Sequence, residues 1–118
     1  MTYVKVRNAT RNTILGQKVR VASSLIDRGL GLLTTPSLNS GEGMWLCPCT
    51  SIHTFFMRYP IDILFIDAEG IVLDQQSLPP WRISRWHSKS CGVLELASGA
   101  LKRTGTRVGD RIEWEEKS

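Results

Sequence analysis

The tightest constraint on this chain is a period-two alternation at its start, in a sequence with no long helical stretch. In Tyr3–Arg7, Val4 and Val6 alternate with Lys5 and Arg7; in Thr13–Val21, Val19 and Val21 alternate with Lys18 and Arg20. Successive side chains of a strand point to opposite faces, so this is the pattern of a sheet with one face on a core and the other in water. Asn8–Asn12 is turn material, and the two segments predict an opening hairpin. A parallel sheet needs long crossover helices, which the pattern does not offer.

The remaining elements follow the same logic. Ser24-Leu25-Ile26-Asp27 reads as a capping box opening a short helix, with Ile26, Leu30 and Leu33 on one face. Gly29 and Gly31 weaken that helix by about 1 kcal/mol each relative to Ala, which points to close backbone packing there. Residues 36–43 read as a loop. Met44–Leu46 starts a strand that runs into the corner Cys47-Pro48-Cys49. His53–Met57 and Ile61–Asp67 read as extended and apolar, and Asp67-Ala68-Glu69-Gly70 as a turn back into Ile71–Gln75. Leu78–Ser90 is a loop long enough to suggest a functional or partner-bound segment. Val93–Leu96 reads as a central strand, Ser98–Thr104 as a helical turn stopped by Gly105, and Arg111–Glu115 as the last strand after the turn Val108-Gly109-Asp110. The expected fold class is mainly β (α+β): a small curved antiparallel sheet or barrel-like domain with two short helices, one domain over 1–118.

Composition narrows the function classes. With 118 residues, 42% apolar and 22% charged, the chain has the make-up of a globular domain and not of a disordered or coiled-coil segment. No apolar run approaches the ~20 residues of a membrane span. The opening residues lack the basic-then-apolar signature of a secretory signal, so a cytoplasmic location is expected. Residues 1–60 carry seven Lys/Arg against two acids, and residues 61–118 eight against nine. The basic excess falls on the solvated faces of presumed strands, which ranks nucleic acid below a protein or small ligand as partner. Three cysteines cannot all pair. Cys47 and Cys49 lie on one side of an extended segment, so thiols and no disulfide are expected.

Several runs of residues carry a resemblance. Gly41-Glu42-Gly43-Met44-Trp45, Cys49 to Asp62, Phe65 to Gly70, Val93 to Gly99 and Val108-Gly109-Asp110, with the earlier Arg28-x-x-Gly31-Leu32, closely resemble the prokaryotic domain-of-unknown-function family numbered 192. The resemblance runs from about Val19 to Ile112. It implies a compact, barrel-like β domain with two small helices, and it brings no catalytic or binding residues with it. Many relatives carry signal peptides or lipoprotein anchors and act at the cell envelope. Thr34-Thr35 stand where relatives often have a basic residue.

Candidate site residues come from positions that break the pattern. Asp62 shares a strand face with Leu64 and Ile66, and Glu95 shares one with Val93 and Ala97; a carboxylate on an apolar face must be paired, hydrogen-bonded or protonated. Arg28 and Arg58 are the expected partners, either in a polar pocket with His53 or in a structural network. Cys49 and His53 could act as nucleophile and base, or could bind zinc with Cys47, His87 and Cys91; an inert Cys beside a structural His has the same spacing. Trp81 to Lys89 interleaves Trp81 and Trp86 with Arg82, Arg85 and Lys89, which suits single-stranded nucleic acid, a protein interface, or a loop closing the barrel mouth.

These readings combine into a binding domain for a partner protein or small ligand, with a shallow polar pocket drawn from Arg28, Cys49, His53, Arg58, Asp62, Trp81, Trp86 and Glu95. No cofactor or metal is expected, and enzymatic activity is left open. The alternatives are a hydrolase or metal-binding protein using Cys49, His53 and Asp62, and a single-stranded nucleic-acid binder using Trp81–Lys89.

Overall fold

Seven strands follow one another among the described residues: β1 (Tyr3–Asn8), β2 (Thr13–Ala22), β3 (Glu42–Leu46), β4 (Ile61–Ile66), β5 (Val72–Leu78), β6 (Gly92–Ala97) and β7 (Ile112–Glu116). A short helix, α1 (Ala100–Thr104), lies between β6 and β7. The computed structural model describes residues 2–22 and 37–116. The expected first helix, with Ile26, Arg28, Leu30 and Leu33, lies outside the described residues; α1 is the one helix among them.

The strands form a single sheet in the order β5-β4-β6-β3-β2-β1-β7. The opening hairpin is present, with Tyr3 opposite Arg20 and Asn8 opposite Thr13. Every neighbouring pair is antiparallel except β2 and β3, which run parallel from Lys18–Glu42 to Ala22–Leu46. The connection between those two strands exceeds the dozen residues that a parallel crossover needs. The sheet curls into a half-barrel, because its two edge strands meet at one end. Ile71 bridges Arg111, and the Ile112 N–H donates to the Gly70 carbonyl at 2.8 Å.

Asp110 stands at this closure, its backbone carbonyl accepting the Val72 N–H at 2.9 Å. Its carboxylate accepts from Asn8 Nδ2 (2.9 Å), Arg11 Nε (2.7 Å) and the Arg107 N–H (3.0 Å). Burial pushes this carboxyl up, but the bonds from Arg11, Asn8 and the Arg107 N–H together hold it below the usual carboxylate range. The turn at Asp67–Gly70 forms as expected: the Asp67 carboxylate accepts the Glu69 and Ile71 N–H groups, and Gly70 takes the left-handed φ of 85° that closes the turn.

The central strands β4 and β6 are buried at every position. Both faces of the sheet are covered. One face packs Leu64, Ile66, Leu94 and Leu96 with Val4, Val6 and Leu101; the other packs Ile61, Ile63, Phe65 and Val93 with Met44 and Met57. Losing one of the fully buried leucines to Ala would cost about 2–5 kcal/mol.

One segment departs from expectation. His53–Met57 is not a strand: His53 makes an isolated bridge to Ile83, and the chain turns at Phe56, whose φ is 67°. Its apolar residues divide: Phe56 is set on the surface and Phe55 is half-buried, while Met57 turns into the core.

Candidate functional site

The loop that follows β5 is firmly built. Its backbone pairs with residues 50–54 as a two-segment ribbon: Trp81 N–H donates to Thr54 O (2.9 Å), Thr54 N–H to Arg82 O (2.8 Å), Ser84 N–H to Ile52 O (2.9 Å) and His87 N–H to Thr50 O (3.0 Å). The fully buried Thr54 hydroxyl sits inside it, donating to Pro79 O and accepting from the Arg82 N–H. Asp74 of β5 holds the far end, accepting from Arg85 Nε (2.7 Å) and Nη2 (3.2 Å) and lying 2.8 Å from His87 Nε2. The Arg85 bonds do most to hold the Asp74 carboxyl below its ordinary range; burial opposes them and the His87 bond adds to them. The His87 ring also tilts against Phe65 of the core, at 4.6 Å between centroids.

What this ribbon displays is apolar. Phe56 is 70% exposed, Ile83 66% and Trp81 54%, and their neighbours stack on one another. The rings of Phe56 and Trp81 lie 4.7 Å apart, Phe55 and Trp81 6.1 Å, and His53 and Phe55 5.0 Å. Phe56 and Trp81 both hold left-handed backbone, with φ of 67° and 65°. For a bulky residue that conformation costs on the order of 1–3 kcal/mol, and it persists only where surrounding structure enforces it. Arg58 and Arg82, close in sequence to Phe56 and Trp81, are exposed, and Trp86 is exposed farther along the loop. Trp81 does meet the His53–Met57 segment, as expected for the loop, but as a surface cluster and not as a roof over a cup.

The two acids are placed differently from each other. In the β4–β6 register Asp62 faces Leu96 and Ile63 faces Glu95, so the two carboxylates point to opposite sides of the sheet. Asp62, 2% exposed, accepts from the Ser77 hydroxyl (2.7 Å) and from the Gly99 (3.0 Å) and Leu101 (3.1 Å) N–H groups at the start of α1. Its partners are thus a hydroxyl and backbone donors, not the expected Arg or His. Glu95 lies among Met44, Ile63 and Val93, and burial raises its carboxyl to about 7, against the opposing pull of Arg20. Tyr59 is raised by burial and then by the nearby charges of Glu95 and Glu42.

The expected pocket residues are therefore not gathered at one place. Arg58 and His53 are on the surface, Asp62 and Glu95 are on opposite faces, and Arg28 lies outside the described residues. His53 Nδ1 accepts the Phe55 N–H at 3.2 Å, and the Cys49 thiol donates to Ser51 O at 3.1 Å. Among the described residues, no three His, Cys, Asp or Glu side chains come together around a metal-sized site.

One feature escaped sequence reasoning, and a second was foreseen only as part of a possible zinc set. The first is an open groove of about 820 Å³ beside α1, with Asp62 at its base, Gln75 and Ser77 on one wall and Lys102, Thr106 and Arg107 on the other. The Gln75 side-chain oxygen is buried with no hydrogen-bond partner among the described residues. The second is the approach of Cys47 and Cys91, whose sulfurs stand 3.4 Å apart as thiols. They lie 44 residues apart in sequence, and only strand pairing brings them together.

Comparison with known proteins places this arrangement. The model of the DUF192 family, described as Uncharacterized ACR, matches residues 4–114. A UPF0127 protein of Pyrococcus abyssi is 34% identical, over 82% of this chain and 86% of the relative. A UPF0127 protein of Pyrococcus horikoshii is 31% identical, over 91% and 96%. A crystal structure from Sinorhizobium meliloti, of a protein described as a candidate transcription regulator, aligns with a TM-score of 0.77 at 25% identity over 96% of this chain and 92% of that one. A protein of unknown function from Novosphingobium aromaticivorans aligns with a TM-score of 0.79 at 22% identity, over 95% and 84%.

Proposed function

This chain belongs to the DUF192 family, a family of unknown function, and from that premise we propose that it is a binding module whose aromatic ribbon docks a partner protein. The observation that carries the reading is the exposure of Phe56, Trp81 and Ile83 on a ribbon that backbone bonds and the Asp74 anchor hold in place. Apolar side chains in water are a cost that a lone domain avoids by folding them inward. Here two of them sit on strained backbone as well. Exposed aromatic anchors with arginines nearby in the chain have the make-up of an interface centre, where a few such residues carry most of the affinity.

A protein partner suits this surface better than nucleic acid. Arg85 is neutralised by Asp74, and the Phe56 and Trp81 rings are tilted 58° onto each other, so they do not present parallel faces for bases. The Sinorhizobium structure's description as a regulator is why nucleic acid stays in the test.

The test is affinity capture from native lysate by wild type and by a Phe56→Ser, Trp81→Ser double variant, before and after nuclease. A defined protein retained after nuclease and lost with the variant supports the reading. Identical captures from both chains, or capture abolished by nuclease, would overturn it. A second, small-ligand reading rests on the groove beside α1, where Lys102 and Arg107 suit a polar, anionic molecule.

A further inference from the structure

Cys47 directly follows β3 and Cys91 directly precedes β6, and the antiparallel pairing of these strands brings the two close. Leu46 faces Val93 in that register, so one step farther on Cys47 comes opposite Gly92, the chain neighbour of Cys91. The sulfurs are 3.4 Å apart, in van der Waals contact. A disulfide needs about 2.05 Å between sulfurs, so the pair is roughly 1.4 Å from bonding distance.

The backbone around the pair is fixed on both sides. Cys91 N–H donates to Ile66 O at 2.8 Å, and its carbonyl accepts the Cys49 N–H at 3.1 Å. The Ser90 hydroxyl donates to Gly92 O at 2.9 Å. Cys47 is exposed and Cys91 half-buried, which assigns them different parts in an exchange reaction: one accessible to a reagent, one positioned behind it. The third cysteine is engaged elsewhere, its thiol donating to Ser51 O.

We propose that Cys47 and Cys91 are a reversible dithiol–disulfide pair, oxidised by exchange with a small-molecule disulfide of the glutathione class. Cys47, deprotonated, attacks one sulfur of the reagent; the reagent's S–S bond breaks and its first thiol leaves. Cys91, deprotonated, then attacks the Cys47 sulfur of the mixed disulfide and expels the second thiol. The two protons released by the cysteines end on the two reagent thiols. The two cysteines are oxidised by two electrons in all and the reagent disulfide is reduced by two. Excess reagent thiol reverses both steps. The bond ties together the two points where the aromatic ribbon leaves the sheet, since residues 50–54 follow Cys47 and the 79–90 loop ends at Cys91.

The test uses the folded full-length chain in glutathione buffers of graded thiol-to-disulfide ratio, read by intact mass after acid quench and by non-reducing peptide mapping. Wild type and Cys49→Ser should each lose two hydrogens and map to a 47–91 linkage, in about tenfold or greater excess over any other pairing. Cys47→Ser and Cys91→Ser should form no 47–91 linkage and instead stop at a glutathione adduct on the remaining partner. Unfolded wild type should give mixed pairings, which shows that the selectivity comes from the fold. Three thiols surviving at the most oxidising ratio, a persistent glutathione adduct on wild type, or a dominant linkage through Cys49 would each overturn the proposal.

Discussion

Asp62 and Glu95 sit on adjacent central strands one register step apart, yet their carboxyl groups face opposite cores. Ile63, not Asp62, is the residue opposite Glu95. The two buried acids therefore have separate lives. Asp62 serves the fold by holding the start of α1 through the Gly99 and Leu101 N–H groups. Glu95 is a carboxyl whose protonation is set by burial.

For Asp62, replacement by Ala should destabilise by about 1–3 kcal/mol, because it strands the buried Leu101 N–H and removes the acceptor of the Gly99 N–H and the Ser77 hydroxyl. Asp62→Asn keeps an acceptor for those donors and can donate to Ser77, so it should cost about 1–2 kcal/mol. Urea denaturation at neutral pH measures both. Equal losses for Ala and Asn would contradict the capping role.

Glu95 gives a pH signature of the opposite sign to ordinary surface acids. Its folded value, about 7, lies above the ordinary 4.5, so the folded state holds the extra proton between the two. Stability from this group is fully present below about pH 4.5 and is lost as pH rises towards 7, a fall on the order of 3 kcal/mol before it levels off. Glu95→Gln should flatten that slope and be more stable than wild type at pH 8. A wild-type profile that rises from pH 5 to 7, unchanged in the variant, would contradict the buried-carboxyl account.

Trp45 packs against Gly92, so a Cβ at position 92 would strike its ring and the Leu46 carbonyl. Gly92→Ala should destabilise by about 1–3 kcal/mol, and the added volume should quench or shift Trp45 fluorescence. An unchanged denaturation midpoint would show that the ring moves aside at no cost.

The Asp74 anchor should control the ribbon more than it controls global stability. Asp74→Ala should speed amide hydrogen exchange at Trp81, Ser84 and His87 while the central strands keep their protection. Asp74 and Asp110 are both held below their ordinary values, so their contributions are present above the ordinary carboxylate range and fade as pH falls through the lowered ones. Acid should therefore loosen the ribbon and the β5–β7 closure together. Protection at Ser84 that survives Asp74→Ala would contradict the anchor.

Much of the fold is legible in local pattern. The alternation in β1 and β2, the Asp67–Gly70 turn and the Gly105 stop each follow from one short stretch of residues, and each is present. Asp62 and Glu95 were also legible singly, as acids on apolar faces. Their relative phase was not, because it lies in the pairing of β4 with β6 and not in either strand. The same holds for Cys47 and Cys91, which only the β3–β6 register brings together. The parallel β2–β3 pair shows the limit of arguing topology from missing helices. The His53–Met57 stretch misled for a different reason: aromatic residues favour strands because they fit a half-buried pleat, and here Phe56 is displayed in water.

The central claim is that the aromatic ribbon is the surface a partner protein sees. The most direct measurement is site-specific photocrosslinking in living cells of the native host, with a photoreactive residue at Ile83 and, as control, at Val108, which is 59% exposed in the turn before Asp110. A discrete protein adduct at position 83, missing at 108 and lost when Phe56 and Trp81 are changed to Ser, is the predicted result. Those two changes should leave the fold within about 1 kcal/mol of wild type, because both side chains are largely exposed. The same adducts at both positions, adducts made of nucleic acid, or none at position 83 would contradict the account.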